Sequence, residues 1–170
     1  MCPEIAFNPY YQDIYNKFVQ DFKGLKYMIE GAQPVPVEDS NVLGYVPEEV
    51  HERHMQEMRV MFYHSTEPYH IHLHPFEAIK IGMPLIYMAG GILDRIGGKN
   101  LPGRCKNVKE ARDKIERILN DDLSLIEDIR KSQACLLDPL RPENCVEAWR
   151  TGFESIYSNM EKNKVGGIMI

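Results

Sequence analysis

The stretch Glu67–Asp94, EPYHIHLHPFEAIKIGMPLIYMAGGILD, constrains the fold of this chain more than any other. A polar loop with His70, His72 and His74 runs into a short helix that carries Phe76 and Glu77 near its start. Gly82 breaks that helix, the apolar run Leu85–Met88 follows, and Gly90-Gly91 ends it. Loop, helix, strand and glycine turn in this order are the parts of a ligand site in an open α/β sheet. There, ligands meet the C-terminal ends of strands and the N-termini of helices.

Apolar periodicity extends the pattern in both directions. Glu4–Asn8 reads as a short strand ended by Asn8-Pro9. Tyr11, Ile14, Tyr15, Phe18, Val19 and Phe22 recur at helical spacing, which predicts a helix over Tyr10–Phe22. Leu25–Ile29, Asn41–Val46 and Met58–Tyr63 read as strands. Pro47 opens a helix whose first turn holds Glu48 and Glu49, at the positive end of its dipole. Pro75 opens another that runs to Ile81, and Gly97–Gly103 reads as a glycine-rich connection. Three further helices are expected over Val108–Leu119, Leu123–Leu137 and Pro142–Tyr157. On the last, Val146, Trp149, Phe153, Ile156 and Tyr157 share one side, and Trp149 and Phe153 read as core residues.

Strands alternating with helices predict the α/β class. The expected architecture is a single Rossmann-like domain with a mostly parallel sheet of about five or six strands and helices on both faces. Residues 1–160 form that domain, and residues 161–170 read as a flexible tail. A chain of 170 residues, 44% hydrophobic, has material for one ordinary core. Its formal net charge of −5, with no basic stripe, argues against a nucleic-acid partner. No apolar run reaches the ~20 residues of a membrane span. The opening MCPEIAF lacks the charged and apolar regions of a secretory signal. Cys2, Cys105, Cys135 and Cys145 lack metal-ligand spacing and read as reduced thiols of a cytoplasmic protein.

An ensemble of short motifs then resembles a known family. Val42-Leu43-Gly44-Tyr45-Val46-Pro47-Glu48-Glu49 is followed by a helix and a strand. Next come Phe76-Glu77-Ala78-Ile79, Gly82, Pro84-Leu85-Ile86 and Gly90-Gly91-Ile92-Leu93-Asp94. Together they resemble the carboxy-terminal, donor-binding half of group 1 retaining glycosyltransferases of the GT-B fold. The resemblance runs in order from about Asn41 to Tyr157. Two features depart from the family pattern. Its loop commonly reads Glu, seven residues, Glu, whereas nine residues separate Glu67 from Glu77. The basic pair that grips the diphosphate after the first strand is replaced by Asn8-Pro9-Tyr10-Tyr11-Gln12. Arg95, Lys99, backbone amides or another domain are the candidate replacements.

The resemblance implies a nucleotide-sugar donor site, with a UDP- or GDP-sugar as substrate and no metal or other cofactor. Glu77 would accept both ribose hydroxyls; the alternative is a helix-dipole role. Gly44, Tyr45 and Val46 would shape the base slot, or simply end a strand. Gly90, Gly91 and the residues before Phe76 would face the diphosphate, with Phe76 itself among the donor-binding residues, or the glycines form a tight turn. His70, His72 and His74 would lie over the donor; surface histidines or a metal site are the alternatives. His51 and His54, three apart on a helix, read as a solvated face.

The function expected is transfer of a sugar from a nucleoside diphosphate with retention, the helix N-termini stabilising the leaving group. The partner is a missing amino-terminal acceptor-binding domain or a second subunit, so this half alone turns over little. Rival readings are a non-catalytic binding module, half of a nucleotide-sugar 2-epimerase, and a zinc protein built on the His loop.

Overall fold

The computed structural model describes residues 4–162. It is α/β, with parallel strands most of which are connected through helices. The five strands form two sheets rather than one. β1 (Ile29–Glu30) pairs with β2 (Val42–Gly44), and β4 (Leu85–Met88) lies between β3 (Met61–Tyr63) and β5 (Arg104–Cys105). The helices are α1 (Pro9–Asp21), α2 (Glu48–Glu57), α3 (His74–Lys80), α4 (Ile92–Arg95), α5 (Val108–Leu119), α6 (Leu123–Gln133) and α7 (Pro142–Lys162). A 3-10 helix over Ala134–Leu140 joins α6 to α7.

β4 organises the larger sheet because its side chains alternate between two cores. Ile86 packs with Cys105, Ala111, Ile115, Ile118 and Ile129 on the face covered by α5 and α6. Leu85 and Tyr87 pack with Tyr63, Phe76, Ile79, Leu93 and Leu136 on the opposite face, under α3 and α4. The larger sheet is therefore covered on both faces, as parallel sheets require. Asn107 caps α5 by accepting from Glu110 N–H, and Asp122 caps α6 by accepting from Leu125 N–H.

Several expectations need correction. Glu4–Asn8 is a hydrogen-bonded turn and not a strand: the N–H groups of Phe7 and Asn8 both donate to Glu4 C=O. The reason is Asn8-Pro9. Asn8 Oδ1 accepts from Tyr10 N–H as the cap of α1 and Pro9 occupies the first helical turn, so the chain is already winding there. The expected single sheet of five or six strands is replaced by sheets of two and three. β5 lies at the end of the supposed connection Gly97–Gly103, too short at two residues to show a period. Trp149 and Phe153 stack on each other at 5.5 Å but are 65% and 49% exposed, not core. Helix α7 meets the body chiefly through the 3-10 helix, and Val146, Ile156, Tyr157 and Met160 are exposed with them. Lys162, its last residue, lies inside the expected tail, and residues 163–170 fall outside the described ones.

Short β5 leaves the beginning of β4 without a strand partner on that side. Gln133 fills the place: its buried amide accepts from Leu85 N–H at 3.0 Å and donates to Met83 C=O at 2.9 Å. Replacing Gln133 by the similarly sized Leu strands both backbone groups without opening space. We expect urea denaturation of Gln133→Leu to show a loss of about 2–4 kcal/mol. A loss below about 0.5 kcal/mol, the range of indifferent surface changes, contradicts the surrogate-strand role.

Candidate functional site

The C-terminal ends of β1 and β3 meet at one crevice, which the starts of α2 and α3 also enter. Glu30 ends β1, and its two carboxylate oxygens accept from His51 Nδ1 and His54 Nδ1, each at 2.5 Å. The two histidines lie three apart, so one face of α2 presents both imidazoles to a single acid. With Nδ1 of each ring engaged by the carboxylate, Nε2 is the nitrogen left for another partner. His51 Nε2 lies 3.8 Å from Glu77 Oε2. Ring centroids of His51 and His74 are 6.3 Å apart. His51 and His54 are thus not the solvated face that their spacing alone indicated: their side chains are only 29% and 17% exposed and both are bound to Glu30.

Glu77 lies in the first turn of α3, and 46% of its side chain is exposed. Among the described residues its carboxylate accepts no hydrogen bond, and α3 has no side-chain cap. Phe76 by contrast is buried in the core against Tyr63 and Leu85, and its N–H donates to Leu73 C=O. It holds α3 in place and offers no face to a ligand.

The histidine loop is tied down at both ends. His72 Nδ1 and Tyr63 Oη are 2.9 Å apart, and the His70 and His72 rings are 4.4 Å apart. Arg95 donates to Pro68 C=O and lies 4.3 Å over the Tyr69 ring. Ile92 N–H donates to Glu67 C=O. Gly91 lets this loop approach, since a Cβ there would meet Ser65 C=O at 2.7 Å. Gly90, at φ +91°, donates its N–H to Asp94, whose carboxylate also takes both arms of Arg104 at 2.8 Å. That Arg104 pairing holds Asp94 below the usual carboxylate range. The Gly90-Gly91 turn therefore locks the loop to β4, and one of its two amides is already used.

Gly44 ends the outer strand β2, and Tyr45 and Val46 follow it. Gly44 has φ +69° and accepts from Gly31 N–H, while Tyr45 is 81% exposed. The structure thus gathers His74 and Glu77, with His70 and His72 on the adjoining loop. Glu30, His51 and His54 join them, and sequence alone gave no signal for Glu30, which lies 21 and 24 positions from its partners. No group of three metal-ligating side chains converges among the described residues. None of the described helices is long and apolar enough to cross a membrane.

Among known protein families, characterised proteins and solved structures, none matches this chain.

Burial sets the charge state of the loop. The His64 imidazole is pushed down from 6.5 to about 4, chiefly by burial. Burial likewise lowers His72 and His74. A folded-state value below the unfolded one means that the unfolded chain binds more protons in the window between them. The associated stability is full above about pH 6.5 and is lost as pH falls from there to about 4, to the extent of ~3 kcal/mol for His64. Urea midpoints across this range should fall on acidification, and His64→Asn should flatten the profile. An unchanged slope in that variant contradicts the assignment to His64.

Proposed function

We propose that the crevice binds a nucleoside diphosphate sugar, and that the chain is the donor-binding half of a retaining glycosyltransferase. The observation that carries this reading is the Glu77 carboxylate, half exposed at the start of α3, with no hydrogen bond among the described residues and only His51 nearby at 3.8 Å. A carboxylate there can accept from two vicinal hydroxyls at once, which is what a ribose presents. The first turn of α3 and the loop before it supply partial positive charge for the diphosphate. His51, 3.8 Å from Glu77, and His74, whose ring lies 6.3 Å from that of His51, are placed to hydrogen-bond the donor sugar or its phosphates. As the sugar leaves, the diphosphate gains negative charge, and donors already aimed at it lower the barrier. The acceptor site lies on a partner, for which the apolar stripe of α7 offers an uncovered face.

A second reading draws on the Glu30-anchored imidazoles. A carboxylate that orients a histidine is a proton-transfer device, which suits half of a nucleotide-sugar 2-epimerase. Exchange of the hydrogen on sugar carbon 2 with deuterated solvent separates the two, since glycosyl transfer leaves that hydrogen in place. A non-catalytic module that binds the same donor is the outcome if neither transfer nor exchange is found with the partner present.

Calorimetric titration with UDP, GDP, a UDP-sugar and a GDP-sugar tests the donor site. One of the two nucleotide series should bind, and Glu77→Ala should weaken it by about tenfold or more while circular dichroism stays unchanged. No heat from any of the four removes the proposal, and equal affinity in folded Glu77→Ala removes the ribose assignment.

A further inference from the structure

The two sheets turn their inner edges toward one cavity. Its volume is about 410 Å³, and its walls include residues 25–30 of the β1 segment and residues 58–64 of the β3 segment. Neither β2 nor β4 reaches it. Phe18 of α1, Phe22 just after it, Ile115 of α5, Met55 of α2 and Pro75 of α3 also line it. The arrangement is that of a parallel sheet, walled by helices on both faces, that is interrupted at its centre.

Burial shows the same interruption. In a covered parallel sheet the middle strands are the most buried. Here β4 is almost wholly buried, whereas β1 and β3, inward of β2 and β4, are only partly so. Val60, Phe62 and Phe18 pack on the core and remain half-buried.

The backbone identifies what would fill the space. Ile29 and Gly31 donate to Asn41 and Gly44 on the β2 side, so Glu30 between them turns its N–H and C=O to the cavity. Met61 donates to Pro84 on the β4 side, so Phe62 likewise turns its own to the cavity. No backbone hydrogen bond joins β1 to β3 among the described residues. A small apolar molecule would cover the side chains but leave both rows of main-chain groups unpaired. One extended peptide has two edges and pairs with both.

We propose that the cavity accepts a β-strand from a polypeptide segment outside these 170 residues, lying parallel to β1 and β3 and joining the two sheets into one of six strands. The strand is mainly apolar, because Phe18, Phe22, Phe62, Met28, Met55 and Met83 are among the walls, with histidines where β1 and β3 end. The match is a main-chain one, the β-strand addition used in peptide recognition. The inference does not depend on the nucleotide reading, since its contacts are backbone edges and not Glu77.

The test uses the whole chain and the soluble peptide Lys-Lys-Val-Ile-Val-Thr-Val-Lys-Lys, with a control methylated on the backbone nitrogens of its apolar residues. In the free chain the Phe62 and Glu30 amides should exchange with solvent much faster than those of Met61 and Ile29. The peptide should bind at one per chain and slow Phe62 and Glu30 by about tenfold or more, and the methylated control should not. The proposal is overturned if the two amides are already protected in the free chain, or if the peptide fails to bind. Equal binding of the methylated control also overturns it, because it makes the cavity a generic apolar site. Protection that rises with protein concentration assigns the space to a second copy, and protection lost on deleting residues 163–170 assigns it to the chain's own end; either overturns it.

Discussion

The molecule depends on β4 being paired on both edges and packed on both faces. Leu85, Ile86 and Tyr87 are each at most 1% exposed, and they share those side chains between two separate cores. Its backbone binds β3 on one side and β5 on the other, with Gln133 standing in where β5 is too short. Gly103 makes that second pairing possible, because any Cβ there would strike Leu85 C=O at 2.1 Å. From its C-terminal end, Gly90 and Asp94 carry the rigidity into the glycine turn, and through Gly91 and Ile92 into the histidine loop. The crevice residues on α3 are held the same way. Phe76 and Ile79 are anchored in the core beside β4 while Glu77, between them in sequence, points out of it.

Residues with a strong local signature were legible in the sequence. Val108–Leu119 was read with its bounds because Asn107 caps it and its apolar positions keep a helical period. Leu85–Met88 was legible because a fully buried parallel strand is a short unbroken apolar run between glycines. What failed was information carried between distant segments. Glu4–Asn8 has the composition of a strand, but the Asn-Pro cap decides its conformation. β5 has only two residues and exists because Tyr87 and Met88 pair with it. His51 and His54 looked solvent-facing because their spacing says nothing about an acid at the end of a different strand.

The candidate site divides along the same line. Glu77 was legible as a first-turn carboxylate following Pro75, a local pattern, and its side chain is half exposed, 3.8 Å from His51. Phe76 belongs to the same motif, yet its neighbour relation to Tyr63 and Leu85 places it in the core. The glycines behave likewise. Gly90 and Gly91 earn their place by a positive φ and a close backbone approach, both of which serve the loop before any ligand is considered. A motif thus reports which residues sit together in sequence, and burial then separates those that hold the site from those that face it.

The gap between the sheets and the crevice are physically connected. In a parallel sheet, ligands bind where neighbouring strands lead off in opposite directions along the sheet. Here the chain passes from β1 outward to β2 on one side of the cavity, and from β3 outward to β4 and β5 on the other. With a strand in place the cavity would be that switch point; Glu30, His51 and His74 line it, and Glu77 lies 3.8 Å from His51. A strand laid between β1 and β3 would end among these side chains, so the residues after it would be the nearest donors to any anion held by α3. The turn at Glu4–Asn8 cannot take that role, because it leads directly into α1 rather than leaving a strand. Asn8–Gln12, the segment without a basic residue, is therefore a helix start outside both sheets.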